Sequence, residues 1–215
     1  MTEHLLVILA YSNPGEHLRV NWKHAAESLG QFTGSVNSIV YRTADNSEPC
    51  VHGVFCVFDS QTKPPECSEI ERLLRPSVGQ QLDTRIYEAF PSGTPILVPN
   101  LPGKHYMVLN GMTPNDAAEQ TFNAWYTEEH IPMLSVVPGW RSSVRFRLVT
   151  ASKNPPRYLA LHEWASCDAF QTAQFKAATN TPWRTRVVVE QVIQRERHLL
   201  EYQGTVEELK RMDDD

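Results

Sequence analysis

An order of elements laid down in the first ninety residues is laid down again after residue 104, and this repetition constrains the fold more than any one motif. Strand-like runs LLVILAY (5–11), SIVYR (38–42), HGVFCVF (52–58) and TRIYEAF (84–90) alternate with helical stretches predicted at 19–32 and 68–74. The second series is strand YMVLNGM (106–112), helix 117–130, strands SSVRFRLV (142–149) and YLALHEWA (158–165), helix 168–178, and strand VVVEQVIQRERHLLEY (187–202). Within 158–164 neither alternate set of side chains is purely polar, which predicts a sheet packed on both faces. Ser68 and Asp168 are the predicted helix N-caps, the former with Glu71 three residues on. Residues 91–104, PSGTPILVPNLPGK, can neither continue a helix nor sit in a central strand, and read as a connection.

Each half follows the order strand, helix, strand, strand, helix, strand, which is the ferredoxin-like order. The predicted class is α+β, with two tandem ferredoxin-like units: residues 1–90, chiefly scaffold, and 105–203, holding the active cleft. The connection 91–104 joins them, and a tail at 204–215 makes a helix turn that frays into three aspartates. The halves are unequal, because the first helix, VNWKHAAESLGQF, carries Trp22 and His24 but lacks the Glu-Glu-His run of the second.

With 215 residues, 41% of them hydrophobic, the chain can bury a core. A net charge of -5 without a Lys/Arg-rich run argues against a nucleic-acid partner. No apolar run is long enough to span a bilayer and Met1 leads straight into a strand without a basic leader, so neither membrane anchoring nor secretion is expected and the predicted location is cytoplasmic. Cys50, Cys56, Cys67 and Cys167 lack paired metal-ligand spacing and suggest reduced thiols, Cys56 as a small core residue.

Chemistry is expected in residues 122–147, FNAWYTEEHIPMLSVVPGWRSSVRFR. Pro132 lacks a backbone donor and biases Ile131 toward extended geometry, so the helix is predicted to stop or kink near His130. At helical spacing Trp125 shares a face with Glu129 and Tyr126 with His130. A helix end favours a protonated imidazole and disfavours Glu128 and Glu129, an arrangement that stability alone does not ask for. The competing reading is an ordinary core stripe with a solvated Glu-His edge. Gly139 permits the turn, Trp140 covers the cleft or core, and Arg145 and Arg147 share one side of the next strand. Those arginines hold an anionic oxygen or pair with Glu128, Glu129 or Glu163.

The Trp-Tyr pair, Glu-Glu-His, Pro and Val-Pro-Gly-Trp-Arg leading into a strand resemble the signature of the EthD-like group of the dimeric α/β-barrel superfamily, over residues 106–197 with the tight motif at 123–147. The resemblance implies that two units in one chain make an internal pseudo-dimeric α/β barrel, and that the cleft lies between the sheet and helices of a unit. It also implies a lyase, decarboxylase or cyclase acting without a cofactor on a small aromatic or polyketide-like molecule. In that scheme His130 is the acid/base, Glu129 orients or tunes it, Arg141 or Arg145 binds an anionic oxygen, and Trp125, Tyr126 and Trp140 form the apolar wall. Similarity to polyketide cyclases of the wider superfamily adds the strand histidines His162 and His105, with Tyr158 on the face of His162. An imidazole suits proton transfer at a β-keto group because it titrates near neutrality. The nucleophile-elbow, P-loop, Rossmann and zincin motifs are missing, and Glu129 and His130 lie about 100° apart on a helix, so no metal and no cofactor are expected. The alternatives are a non-catalytic carrier or assembly module and, less favoured, a haem-using monooxygenase with His130 or His162 as axial ligand. The expected partner is a small-molecule substrate, and the chain is expected to be a monomer with an internal pseudo-dimer or a homodimer.

Overall fold

A computed structural model describes residues 3–12, 20–33, 38–44, 50–59, 65–78, 81–91 and 104–213. The chain is α+β and divides into two compact units that interleave in sequence: Met1–Leu101 with Phe146–Pro155 and Leu200–Asp215, and Pro102–Arg145 with Pro156–Leu199. The far ends of two strands predicted within 105–203 thus associate with the first unit.

The first unit has the order β1 (Glu3–Tyr11), α1 (Trp22–Thr33), β2 (Ser38–Thr43), β3 (Val51–Asp59), α2 (Cys67–Val78) and β4 (Leu82–Ala89). β1 lies antiparallel between β3 and β4, with Leu6 opposite both Cys56 and Ile86, and β2 flanks β3. Leu6, Ile8, Cys56 and Ile86 pack with Leu29 and Ala25 of α1 and Ile70 and Leu74 of α2. Leu5, Val7 and Leu9, on the opposite face of β1, are fully buried as well, so this sheet has no solvated side. Cys56 is a small buried core residue, as its strand-like run suggests, and all four cysteines are free thiols.

The second unit begins with β5 (Tyr106–Pro114), a 3-10 turn (Asp116–Ala118) and α3 (Glu119–Trp125). Asn115 caps this entry through its side-chain oxygen, which accepts from the Ala118 N–H at 3.0 Å. A π turn (Tyr126–His130) follows, then α4 (Ile131–Ser135), β6 (Trp140–Ala151), β7 (Tyr158–Trp164) and a 3-10 turn (Cys167–Gln171). The order closes with α5 (Ala173–Ala178), α6 (Pro182–Thr185), a π segment (Arg186–Gln191), β8 (Val192–Thr205) and α7 (Val206–Asp213). In this unit β5 lies between β7 and β8, and β6 flanks β7. Val108 of β5 sits opposite His162 of β7, and Tyr106 opposite Trp164. The remaining parts of β6 and β8 pair with β4 and β2 in the first unit, where Gly204, at φ +139°, accommodates a bulge between Val40 and Tyr41.

Several sequence expectations change. The expected stop or kink near His130 takes the form of a π turn ending there: Pro132 falls in the first turn of α4, where its missing N–H is one of the donors a helix start leaves unused. Ser68 lies inside α2, which starts at Cys67, rather than capping it. Asp168 is capped rather than capping, since Ser166 Oγ accepts from its N–H, and Thr172 caps α5. Residues 187–191, read as strand because of three consecutive valines, are helical, with Val187 and Val188 buried; tertiary burial overrides the β preference of a short valine run. Gly139 has φ +88°, as the Pro-Gly-Trp turn requires. Most of the connection 91–104 lies outside the described residues, and the tail forms α7 before residues 214–215, which also lie outside them. Among the described residues no helix is long and apolar enough to cross a membrane.

Ile70 has 0% of its surface exposed in the first core, whereas Val136 of the second unit is 71% exposed. Ile70→Ala is expected to lower the unfolding free energy by about 2–5 kcal/mol in denaturant titration, and Val136→Ala to leave it within about 0.5 kcal/mol.

Candidate functional site

A cavity of about 570 Å³ lies within the second unit, between one sheet face and its helical layer. Val108 and Met112 of β5 and His162 and Trp164 of β7 form the floor, since alternate residues on paired strands share a face. Trp125, His130 and Leu134 line it from the α3, π-turn and α4 run, and Phe175, Arg184 and Val188 from the later helical segments. Arg195, Glu196 and Arg197 of β8 complete the lining.

The π turn explains how Trp125 and His130 come together. Ile131 N–H bonds to the Tyr126 carbonyl, five residues back, so residues five apart come into register where an α-helix would stack those four apart. The His130 ring stacks on Trp125 at 4.4 Å between centroids and 24° between planes, and meets Tyr126 edge-on at 5.4 Å. Glu129 does not hold His130 directly. Its Oε2 accepts from Trp125 Nε1 at 3.1 Å and from Thr181 Oγ1 at 2.6 Å, so it fixes the ring against which His130 packs.

Both cavity histidines are neutral imidazoles. Burial is the chief cause that pushes His130 down to about 4, with the Arg184 and Arg145 charges acting the same way and a hydrogen bond to the Ala178 carbonyl opposing them. His162, 2% exposed, is pushed down to about 3 by burial first, then by His130, Arg145 and Arg197. A neutral ring has a single N–H, and the neighbours assign it. His130 Nδ1 is buried without a hydrogen-bond partner; with the proton on Nε2, toward the Ala178 carbonyl, Nδ1 is left as a lone pair. Trp140 Nε1 donates to Ser143 Oγ at 3.0 Å, and Ser143 Oγ is hydrogen-bonded to His162 Nδ1 at 2.7 Å. In the tautomer where the Ser143 hydroxyl is the donor, His162 carries its proton on Nε2, which is also buried without a partner, as is Trp164 Nε1. The arrangement offers one lone pair, at His130 Nδ1, and N–H donors at His162 Nε2 and Trp164 Nε1. The two imidazole rings stand edge to face at 5.9 Å.

The other predicted residues take different places. Tyr126 is 1% exposed, with its phenol pushed up to about 12 mainly by burial, and the Arg145 guanidinium lies over its ring at 4.2 Å. Arg145 also donates to Asn123 Oδ1 at 2.6 Å, and neither Tyr126 nor Arg145 lines the cavity. The Tyr158 hydroxyl donates to Glu119 and accepts from Asn123 Nδ2 at 3.4 Å, so it shares the His162 side of β7 without reaching the cavity lining. Arg141 contacts the His105 ring, and the two lie outside the lining together. Trp140 does not line the cavity; it donates to Ser143 and packs against the cluster that contains Val108, Leu134 and Trp164. Arg147 pairs with Glu88 at 2.5 Å in the first unit rather than with Glu128, Glu129 or Glu163.

Sequence reasoning did not single out Trp164, Ser143, Arg184, Arg195 or Arg197. The alternation on YLALHEWA that put Tyr158 and His162 on one side extends to Trp164, and RER puts Arg195 and Arg197 on one face of β8. Nothing local marks Arg184. Among the described residues no group of three or more His, Cys, Asp or Glu side chains could hold a metal ion.

No family model matches the chain, and no curated protein matches it in sequence. Solved structures do. A mutant chlorite dismutase from Candidatus Nitrospira defluvii superposes with a TM-score of 0.60 at 10% identity, covering 99% of this chain and 96% of that one. A protein of Fusobacterium nucleatum described provisionally as a monooxygenase gives 0.59 at 10% identity, with 95% and 96% covered. An anthrone oxidase-like protein gives 0.51 at 12% identity, with 95% and 92% covered. Likenesses at this identity show the fold alone, an α+β chain with an antiparallel barrel of strands.

The buried imidazoles link stability to pH. An unfolded histidine binds its proton near 6.5, whereas His130 does so only near 4, so between these values the unfolded chain takes up a proton that the folded one refuses. The stabilisation is complete above about 6.5 and is lost as the pH falls toward 4. His130→Gln is expected to make the fall of Tm across this window shallower, measured by thermal unfolding at a series of pH values.

Proposed function

We propose that the chain is an enzyme of small-molecule metabolism whose second unit performs cofactor-independent acid/base chemistry, of the lyase, decarboxylase or cyclase type, on a small aromatic or polyketide-like substrate. The observation that carries this reading is the pair of buried imidazoles that line one cavity, His130 with an unpartnered Nδ1 and His162 with an unpartnered Nε2. A β-keto substrate fits both. His130 Nδ1 takes the α-proton, the C–H electron pair moves into the carbonyl, and the enolate oxygen receives hydrogen bonds from His162 Nε2 and Trp164 Nε1. Return of the proton completes an isomerisation, attack of the enolate carbon on a second carbonyl closes a ring, and loss of carbon dioxide from a β-carboxylate passes through the same stabilised enolate. Trp125 and Phe175 supply the apolar wall. Glu129, Ser143 and Trp140 hold the two imidazoles or the ring beside them in position. The motif at 123–147, which resembles that of the EthD-like group, and the fold shared with anthrone oxidase-like and monooxygenase-like proteins support a small-molecule enzyme. The βαββαβ order of each half, with sheet orders β4-β1-β3-β2 and β8-β5-β7-β6, supports two tandem ferredoxin-like units at 1–90 and 105–203.

A panel of β-keto and hydroxyaromatic acids, followed by carbon dioxide release and by chromatography of products, tests the reaction. His130→Gln is expected to reduce turnover about 100-fold with little change in Tm. Ligand binding without turnover in the unmodified chain, unaffected by His130→Gln, would instead identify a carrier.

The unpartnered Nε2 of His162 favours a second reading, haem ligation. In the other tautomer Nδ1–H donates to Ser143 and Nε2 has the lone pair an iron would need, so this residue fits the role of axial ligand. Haem held there would supply oxygen or redox chemistry. On the acid/base reading, haem added to the purified chain leaves the Soret band unshifted; a shift abolished by His162→Ala would establish the second reading.

A further inference from the structure

Arg184 and Arg195 reach the cavity from opposite layers, one from α6 and the other from β8. Among the described residues no carboxylate pairs with Arg184, Arg195 or Arg197. The nearest acidic candidates are committed elsewhere: Glu196 bonds to His198 at 2.8 Å, and Glu129 to Trp125 and Thr181. The two guanidiniums also feel each other, because the pKa of Arg184 is lowered by burial and next by the Arg195 charge. Like charges at the edge of an apolar chamber, in a chain whose net charge is -5, are an arrangement that a bound anion relieves.

Resting on the small-molecule reading above, we propose that Arg184 and Arg195 form an anion subsite that selects substrates bearing a carboxylate on a planar apolar body. Guanidinium groups take carboxylates through paired N–H donors, which fixes orientation as well as charge. With the carboxylate held between α6 and β8, the ring extends over the floor toward Trp125 and the two imidazoles. The role that sequence reasoning gave to Arg141 or Arg145 passes to these residues, since neither of those lines the cavity.

Benzoate and benzamide share a ring and differ in charge, so titrating the full chain with each, by calorimetry or tryptophan fluorescence, tests the subsite. Benzoate is expected to bind about tenfold more tightly than benzamide. Arg184→Gln and Arg195→Gln should each remove that advantage while leaving benzamide affinity unchanged, and Arg184→Lys should keep part of it. Equal affinities for the two probes in the unmodified chain, or a benzoate preference that survives both Gln substitutions, would overturn the subsite while leaving the cavity as a ligand site. Failure of both probes to bind at millimolar concentration would overturn the ligand-cavity reading and the subsite with it. Arg195 is exposed, so Arg195→Gln and the ratio in the unmodified chain decide the matter even where Arg184→Gln does not fold.

Discussion

Burial of two imidazoles in their neutral form is the constraint on which the rest of the second unit depends. A charged histidine in that position would need a counter-charge; the charges that act on the two rings are the arginines Arg184, Arg145 and Arg197, which disfavour protonation further. Neutrality in turn forces a choice of tautomer, and each ring is given one fixed partner: the Ala178 carbonyl for His130 and the Ser143 hydroxyl for His162. What remains is one acceptor and one donor without protein partners. Leaving buried polar atoms unsatisfied costs about 1–3 kcal/mol each, a cost that the proposed substrate would relieve at these two rings.

The geometry that makes this possible is distributed over three levels. Antiparallel pairing puts His162 opposite Val108 and Trp164 opposite Tyr106, which sets the floor. The π turn then puts His130 against the Trp125 ring, and Glu129 holds that ring by its indole N–H while also binding Thr181, the N-cap of α6. One carboxylate therefore ties the His130 segment to the helix that carries Arg184. Because side chains bonded at several points lose rotamer freedom on folding and none on binding ligand, such a site is preorganised.

Much of this was legible before any coordinates, and the misses have physical reasons. The repeated order of strands and helices, the Cys56 position and the Gly139 turn all rest on local pattern, which a sequence displays. The pairing of Trp125 with Glu129 and of Tyr126 with His130 followed from spacing of four and holds. The stacking of Trp125 on His130 did not, because a π turn has no recognisable signature and Pro132 suggested a break instead. His105 and Arg141 looked available as separate groups, yet they contact each other, a pairing 36 residues apart that no periodicity reveals. Arg184 sits in a four-residue helix, too short for a pattern, and only the fold brings it beside Arg195.

A base that protonates only near 4 is weak for taking a proton from carbon at neutral pH, where catalysis favours a base poised near the working pH. The groups facing His130 are Arg184 and Arg145, the His162 ring and Tyr126, and of these only the two arginines carry charge at neutrality. An anion seated at Arg184 compensates one of those charges, so it removes part of the penalty on protonated His130 and raises its basicity. The His130 lone pair is thus kept unprotonated by burial and by arginine together. On the proposed reading, specificity for an acid and activation of the base would come from the same guanidinium, which would tie the chemistry to the molecule that needs it.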